Sequence, residues 1–213
     1  IGRLVGSEMC IRDSANMQTA LQAVQYSNTS DAITAGTRTI AFAASDAVGA
    51  GSAVSHTLTV TAANDAPSIG GLTTTNPSFT ENASTPTTLE GSIAVSDPDG
   101  DTTLDYTGAT ATITLASPTG TETLAITESS AVTVSSAYST STGAMTVTVQ
   151  SGGTVADLNT ALQTVTFTDS SDALTNGATR SISWSVSDNA NTGTGAAQTC
   201  LLYTSDAADE HSW

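Results

Sequence analysis

A long internal repeat constrains this chain more than any local feature does. Thr19, Ala20, Leu21, Gln22, Val24 and Tyr26 match Thr160, Ala161, Leu162, Gln163, Val165 and Phe167, so Leu21 stands 141 positions before Leu162. Ser30, Asp31 and Ala32 then match Ser171, Asp172 and Ala173, and Gly36 matches Gly177. After one inserted residue, Arg38, Ile40, Phe42, Ser45 and Asp46 fall on Arg180, Ile182, Trp184, Ser187 and Asp188. The period far exceeds the roughly 20–50 residues of solenoid and propeller repeats, so each copy is expected to be a domain strung in an array. The seam between copies is Asn64, Asp65, Ala66 and Pro67. Before it stands the C-terminal half of one copy. After it stands a nearly complete second copy, long enough to bury about two-thirds of its unfolded surface.

Within the complete copy, short segments rich in Thr, Val and Ile alternate with Gly, Ser, Asp and Pro. Period-two alternation predicts an all-β fold of antiparallel sandwiches with one wet face on each sheet. Leu89, Gly91, Ile93 and Val95 are expected on one strand face, and Ala109, Ala111, Ile113 and Leu115 on another. Further strands are expected at 124–126, 132–134, 145–149, 165–167 and 182–186. One stretch breaks the rhythm. Thr154 and Asp157 have the spacing of a helix start, and Val155, Leu158, Ala161 and Leu162 follow at helical intervals. Each copy therefore carries one short helix, its equivalent in the first copy running from Met17 to Leu21. Strands at 24–26, 39–43 and 54–61 complete that half-copy, which has too little apolar area to be more than marginally stable alone. Trp184 alternates in phase with Ile182 and Val186 and reads as a core anchor.

The ends read differently from the middle. Residues 5–14 and 200–210 look like translated sequencing-adaptor sequence, and they contain both cysteines, Cys10 and Cys200, which therefore say nothing about disulfides. The expected division is 1–14 and 204–213 as adaptor-like and non-native, 15–63 as a truncated repeat, 64–67 as linker and 68–203 as the nearly complete repeat. Across all 213 residues, 4 Lys+Arg stand against 20 Asp+Glu, a formal charge of −16. Such a surface repels nucleic acid and anionic membranes and attracts cations. All four basic residues are arginine, so Lys-Asn isopeptide bonds are excluded. No apolar run is long enough to span a membrane.

Ser96, Asp97, Pro98, Asp99, Gly100 and Asp101 form the densest acidic cluster. Two carboxylates about 5 Å apart repel by roughly 3 kcal/mol at an effective dielectric near 20, so converging acids call for a cation or full solvation. Asp oxygens suit calcium. The same residues also suit a type I turn, and the two readings are compatible. Gly100 and the absence of a twelfth-position Glu exclude a helix-loop-helix calcium loop.

Phe79, Thr80, Glu81 and Asn82, the stretch 95–106 around that cluster, and the seam together resemble the cadherin-like repeats of large bacterial surface adhesins and related secreted proteins. The resemblance covers essentially all of the chain between its ends. It implies tandem Ig-like or cadherin-like sandwiches with calcium at the joints, in an extracellular or cell-surface adhesin. The ligands it implies are Glu81, Asp97, Asp99, Asn64 and Asp65. Asp46 is a further candidate, because it resembles the Asp before the last strand of such domains, and Asp188 would then serve the next joint downstream. Asp101 is added from charge density alone. The chain departs from the cadherin pattern at Ala62 and Ala63, where an Asp would precede the linker, and at Ala66, which no second Asn precedes. Fewer charged ligands imply fewer ions or weaker binding, in the range of about 0.1–1 mM. A purely steric joint at Pro67 is the alternative.

The expected role is a structural, adhesive spacer whose partners are neighbouring repeats and, through other domains, a surface glycan or protein receptor. Catalysis is not expected. His56 and His211 are the only histidines, and no nucleophile-elbow, zinc-protease or phosphate-loop motif is present. Glu122 and Glu128 as a glycosidase pair would need a cleft. The rival class is a carbohydrate-binding accessory module of a secreted hydrolase. It would need a row of exposed aromatics, and aromatics are only 4% of the chain.

Overall fold

The computed structural model describes residues 5–46, 48–73, 76–100, 104–189, 192–194 and 198–203. The chain divides into two compact units, Ile1–Ser30 and Asp31–Trp213. The first contains helix α1 (Val5–Gln22), which begins well before the expected Met17. Leu21 on it is exposed, whereas its repeat partner Leu162 is buried. Residues 24–30 form no strand. The first unit contains no strand among its described residues, so nothing there offers a ladder to Val24 and Tyr26. No described helix is long and apolar enough to cross a membrane.

The second unit is all-β, with one helix among its described residues. Its first strands are β1 (Gly36–Phe42), β2 (Val54–Val60), β3 (Ser68–Gly70), β4 (Ser78–Thr80), β5 (Thr87–Thr88), β6 (Ala94–Ser96) and β7 (Thr110–Leu115). There follow β8 (Glu122–Ala125), β9 (Val132–Ser136), β10 (Ala144–Val149), helix α2 (Val155–Leu162), β11 (Thr166–Asp169), β12 (Thr179–Ser187), β13 (Thr192–Thr194) and β14 (Gln198–Tyr203). One seven-stranded sheet runs in the order β4, β14, β12, β7, β10, β9, with β13 also on β12; β5, β11 and β8 form a second sheet. β3 pairs with β6 and β1 with β2. Only the β14–β4 pairing is parallel among the described strands.

The alternation of the sequence is the alternation of burial. Ala111, Ile113 and Leu115 of β7, Met145, Val147 and Val149 of β10, and Ile182, Trp184 and Val186 of β12 are buried, while the Thr and Ser between them are not. The second sheet contributes Leu124 and Phe167 to the same core. Phe79 of β4 meets Phe167 of β11 edge to face, ring centres 5.4 Å apart, joining the two sheets into a sandwich-like layer pair.

One expected strand is two. Leu89, Ile93 and Val95 are buried but Gly91 is exposed, because the chain leaves the β5 sheet and joins β3 through a loop. Buried Glu90 organises that crossing: its carboxylate accepts from Thr73 N (2.7 Å), Thr73 Oγ1 (3.0 Å) and Ser92 N (3.1 Å). α2 follows the expectation closely. Thr154 Oγ1 accepts from Asp157 N (3.3 Å), Asp157 Oδ2 accepts from Thr154 N (2.9 Å), and Val155, Leu158, Ala161 and Leu162 are buried. This capping box satisfies two backbone donors of the first turn. Thr154→Ala is expected to cost about 1 kcal/mol, read as a lower urea midpoint; an unchanged midpoint would count against the cap.

The β1–β2 hairpin repeats the register of β12–β14. Arg38 pairs with Leu58 and Arg180 with Cys200, and adding 142 to each number of the first pair gives the second. Thr37 with Thr59 and Thr179 with Leu201 obey the same offset. Their surroundings differ. Ile40 and Phe42 are half-buried, whereas Ile182 and Trp184 are 0% and 2% exposed.

Candidate functional site

Within the second unit, the seam is held against the later strands by backbone packing and by carboxylates. Pro67 is buried, and a methyl group placed on Gly193 of β13 would collide with the Pro67 carbonyl, so glycine is what allows β13 to lie against the seam. Asn64 Nδ2 donates to Asp188 Oδ2 at 2.7 Å, and Asp65 N donates to Asp99 Oδ2 at 2.8 Å. The short strand β6 carries Asp97 to this place. One edge of β6 is held by β3 and the other by an α2 side chain: Asn159 Oδ1 accepts from Val95 N at 2.6 Å and Asn159 Nδ2 donates to Val95 O at 3.1 Å.

Beyond β6, Gly100 N donates to Asp97 O at 3.2 Å and closes a β-turn, so the turn reading of Asp97, Pro98, Asp99 and Gly100 is realised. Asp97 Oδ1 accepts from Asp99 N at 2.9 Å, and its Oδ2 from the Tyr106 hydroxyl at 2.8 Å. A cleft of about 160 Å³ results, lined by Asn64, Asp97, Asp99, Asp105, Tyr106 and Asp188 among others. Burial pushes the Tyr106 phenol well above the usual tyrosine range, reinforced by its hydrogen bond to Asp97 and by the charges of Asp97, Asp188 and Asp99. Asp105 turns back on Thr107, whose hydroxyl and backbone N donate to it and hold its carboxyl below the usual range.

Three of the seven expected ligands therefore line the cleft, Asn64, Asp97 and Asp99, and Asp65 reaches it through its backbone N. Asp101 lies outside the described residues. Glu81 is corrected. It follows Thr80 of β4, which pairs with Tyr203 beyond the level of Thr179 at the start of β12, whereas Asp188 follows the end of β12. β4 runs antiparallel to β12, so it carries Glu81 the length of a nine-residue strand, about 30 Å, from Asp188. Asp46 is corrected as well. It lies past the Phe42–Val54 end of the hairpin, and the seam departs from the Gly36–Val60 end. Its Oδ1 accepts from Val48 N and Gly49 N, bonds that hold its carboxyl below the usual range. Asp188, expected to serve a joint downstream, lines this cleft and accepts from Asn64 of the seam. Its position follows from β12 ending beside the start of β7, which three residues separate from Tyr106.

Every donor lining the cleft is an oxygen except the Asn64 amide nitrogen, a set that suits a hard cation. Each carboxylate oxygen retains a lone pair beyond the hydrogen bond it accepts. As they stand, no three His, Cys, Asp or Glu side chains among the described residues are grouped closely enough to hold one ion. A cation would have to draw the carboxylates of Asp97, Asp99 and Asp188 together.

Glu122 is tied to Arg180 at 2.7 Å, and Glu128 Oε1 accepts from Val134 N. Searches of the chain against family models, curated proteins and solved structures returned no match.

Proposed function

We propose that the chain is part of a tandem array of cadherin-like β-sandwiches, a structural and adhesive spacer in a secreted or cell-surface bacterial protein, in which calcium at the seam stiffens the joint. The observation that carries the reading is the pair of hydrogen bonds from seam residues Asn64 and Asp65 to Asp188 and Asp99. They bring three loops distant in sequence into one anionic cleft next to the linker. The shared register of β1–β2 and β12–β14 supports the tandem element. Asp97, Asp99 and Asp188, with the Asn64 amide oxygen, are the residues that would hold the ion. It would cancel their mutual repulsion and so fix the seam.

Calorimetric titration is expected to give a Kd of about 0.1–1 mM, and Asp97→Asn combined with Asp99→Asn is expected to remove it. A hundredfold excess of calcium over Kd is expected to stabilise the folded unit by about 2.7 kcal/mol. Small-angle scattering of a two-repeat protein is the mechanical test: calcium should lengthen it relative to chelator, and unchanged dimensions would sink the stiffening role. The carbohydrate-binding alternative would need a row of exposed aromatics; Phe79, Tyr106, Phe167 and Trp184 are buried, and among the described residues Tyr26 alone is an exposed aromatic.

A further inference from the structure

Of the chain's asparagines, only Asn176 is followed by glycine. The two residues are the centre of a β-turn, closed by Ala178 N donating to Thr175 O at 3.0 Å, and Gly177 has φ +75°. The second central position of a type II turn demands that left-handed conformation, which glycine takes without strain. The turn needs the glycine but not the asparagine amide: the matching residues of the first copy are Ala35 and Gly36, the latter also at positive φ. Asn176 and Gly177 are both exposed. Neither the Asn176 amide nor the Gly177 N–H makes a hydrogen bond among the described residues. The turn borders a cleft of about 360 Å³ whose lining includes Thr175, Ala178 and Arg180, so water reaches it.

We propose that this turn is a site of spontaneous deamidation. Gly177 N attacks Asn176 Cγ and closes a five-membered succinimide. The Cγ–Nδ2 bond breaks, and Nδ2 leaves as ammonia with the proton that Gly177 N gives up. Water then adds to one of the two imide carbonyls and opens the ring. Cleavage at Cγ leaves an aspartate; cleavage at the Asn176 main-chain carbonyl leaves an isoaspartate, whose backbone is one methylene longer. Hydroxide drives ring closure by removing the Gly177 N–H proton, and glycine has no side chain to obstruct the attacking nitrogen. The attack geometry is reached when the turn opens, a local event that breaks one backbone hydrogen bond at an exposed site. Either product adds a negative charge at the entry to β12, close in sequence to Arg180. Asp99 and Gly100 have the same chemistry open to them, with water as leaving group, but the fold restrains both reacting groups. Gly100 N donates to Asp97 O at 3.2 Å, and Asp99 Oδ2 accepts from Asp65 N at 2.8 Å. The inference is independent of the spacer and calcium readings.

The test is peptide mapping by mass spectrometry of the full chain, aged at pH 8 and at pH 5 beside a synthetic peptide of residues 172–181. The folded chain is expected to gain one dalton at position 176, faster at the higher pH, and at a rate within about tenfold of the free peptide's. The product should be a mixture of aspartate and isoaspartate. Asn176→Ala, which copies Ala35 of the first copy, should release no ammonia from this turn and keep the parent's urea midpoint. Asp99 should form isoaspartate in urea and not in the folded chain. A folded rate further below the peptide's, a rate indifferent to pH, or aspartate without isoaspartate would each overturn the proposal. So would a lowered midpoint in Asn176→Ala, by giving the amide a structural task, or isoaspartate at 99 in the folded chain to the same extent as at 176.

Discussion

Arg180→Met is expected to lower the unfolding free energy by about 3–5 kcal/mol at neutral pH. Arg180 Nε meets Glu122 Oε1 at 2.7 Å, with the Glu122 side chain at 0% exposure and that of Arg180 at 19%. The pair spans the two sheets, from β12 to β8. Burial pushes the Glu122 carboxyl up, but hydrogen bonds from Thr119 and Arg180 outweigh it and hold the group below the usual glutamate range. Directly opposite Glu122 in the β8–β11 register stands Asp169, also buried, with Oδ2 lacking a hydrogen-bond partner among the described residues. Removing the guanidinium leaves a buried carboxylate beside a second acid.

The pH dependence carries a definite sign. A carboxyl depressed in the folded state contributes stability that is present above its unfolded value, about 4.3 for glutamate, and lost as the pH falls through the folded value. In Arg180→Met the remaining balance tilts toward desolvation, which raises that carboxyl, so acidification should relieve the variant while it weakens the parent. Urea unfolding from pH 7 to pH 3 should therefore show the gap between them closing. A gap that stays constant would mean the loss comes from packing alone. The double variant Arg180→Met with Glu122→Met should recover most of the stability, since replacing a buried pair by apolar groups is often neutral.

Trp184→Ala is expected to cost about 3–5 kcal/mol, a large part of the 5–15 kcal/mol typical of a domain. Trp184 lies at the middle of β12, 2% exposed, opposite Ile113 of β7. Its indole Nε1 is buried without a hydrogen-bond partner among the described residues, an arrangement that itself costs about 1–3 kcal/mol. Trp184→Phe places there the residue that stands at 42, its repeat equivalent. It removes the orphaned donor while leaving a smaller void, so the two changes offset and the net loss should be about 1 kcal/mol or less. Equal losses for the two variants, measured by denaturant midpoint, would show that the indole nitrogen does have a partner.

Strand faces were legible because burial alternates with period two, and β7, β10 and β12 needed no more than that. α2 was legible from Thr154 and Asp157, because a capping box is local. What sequence periodicity does not carry is direction. Glu81 and Asp46 were grouped with the seam by the cadherin-like resemblance, and strand order sends each to another end of its sheet. Asp188 was assigned downstream for the same reason, although β12 returns beside the start of β7. The Arg180–Glu122 pair had no local signal, since its members are 58 positions apart. The break between β5 and β6 was hidden because Leu89, Ile93 and Val95 keep the phase of a single strand across a loop that buried Glu90 holds.

With Pro67 pinned by the close approach of β13, the chain from the end of β2 at Val60 to that anchor is a leash of residues 61–66. Six residues reach at most about 20 Å when fully drawn out. The Arg38 end of the hairpin is thus presented to the acids of the cleft at an effective concentration in the millimolar range, however dilute the protein is.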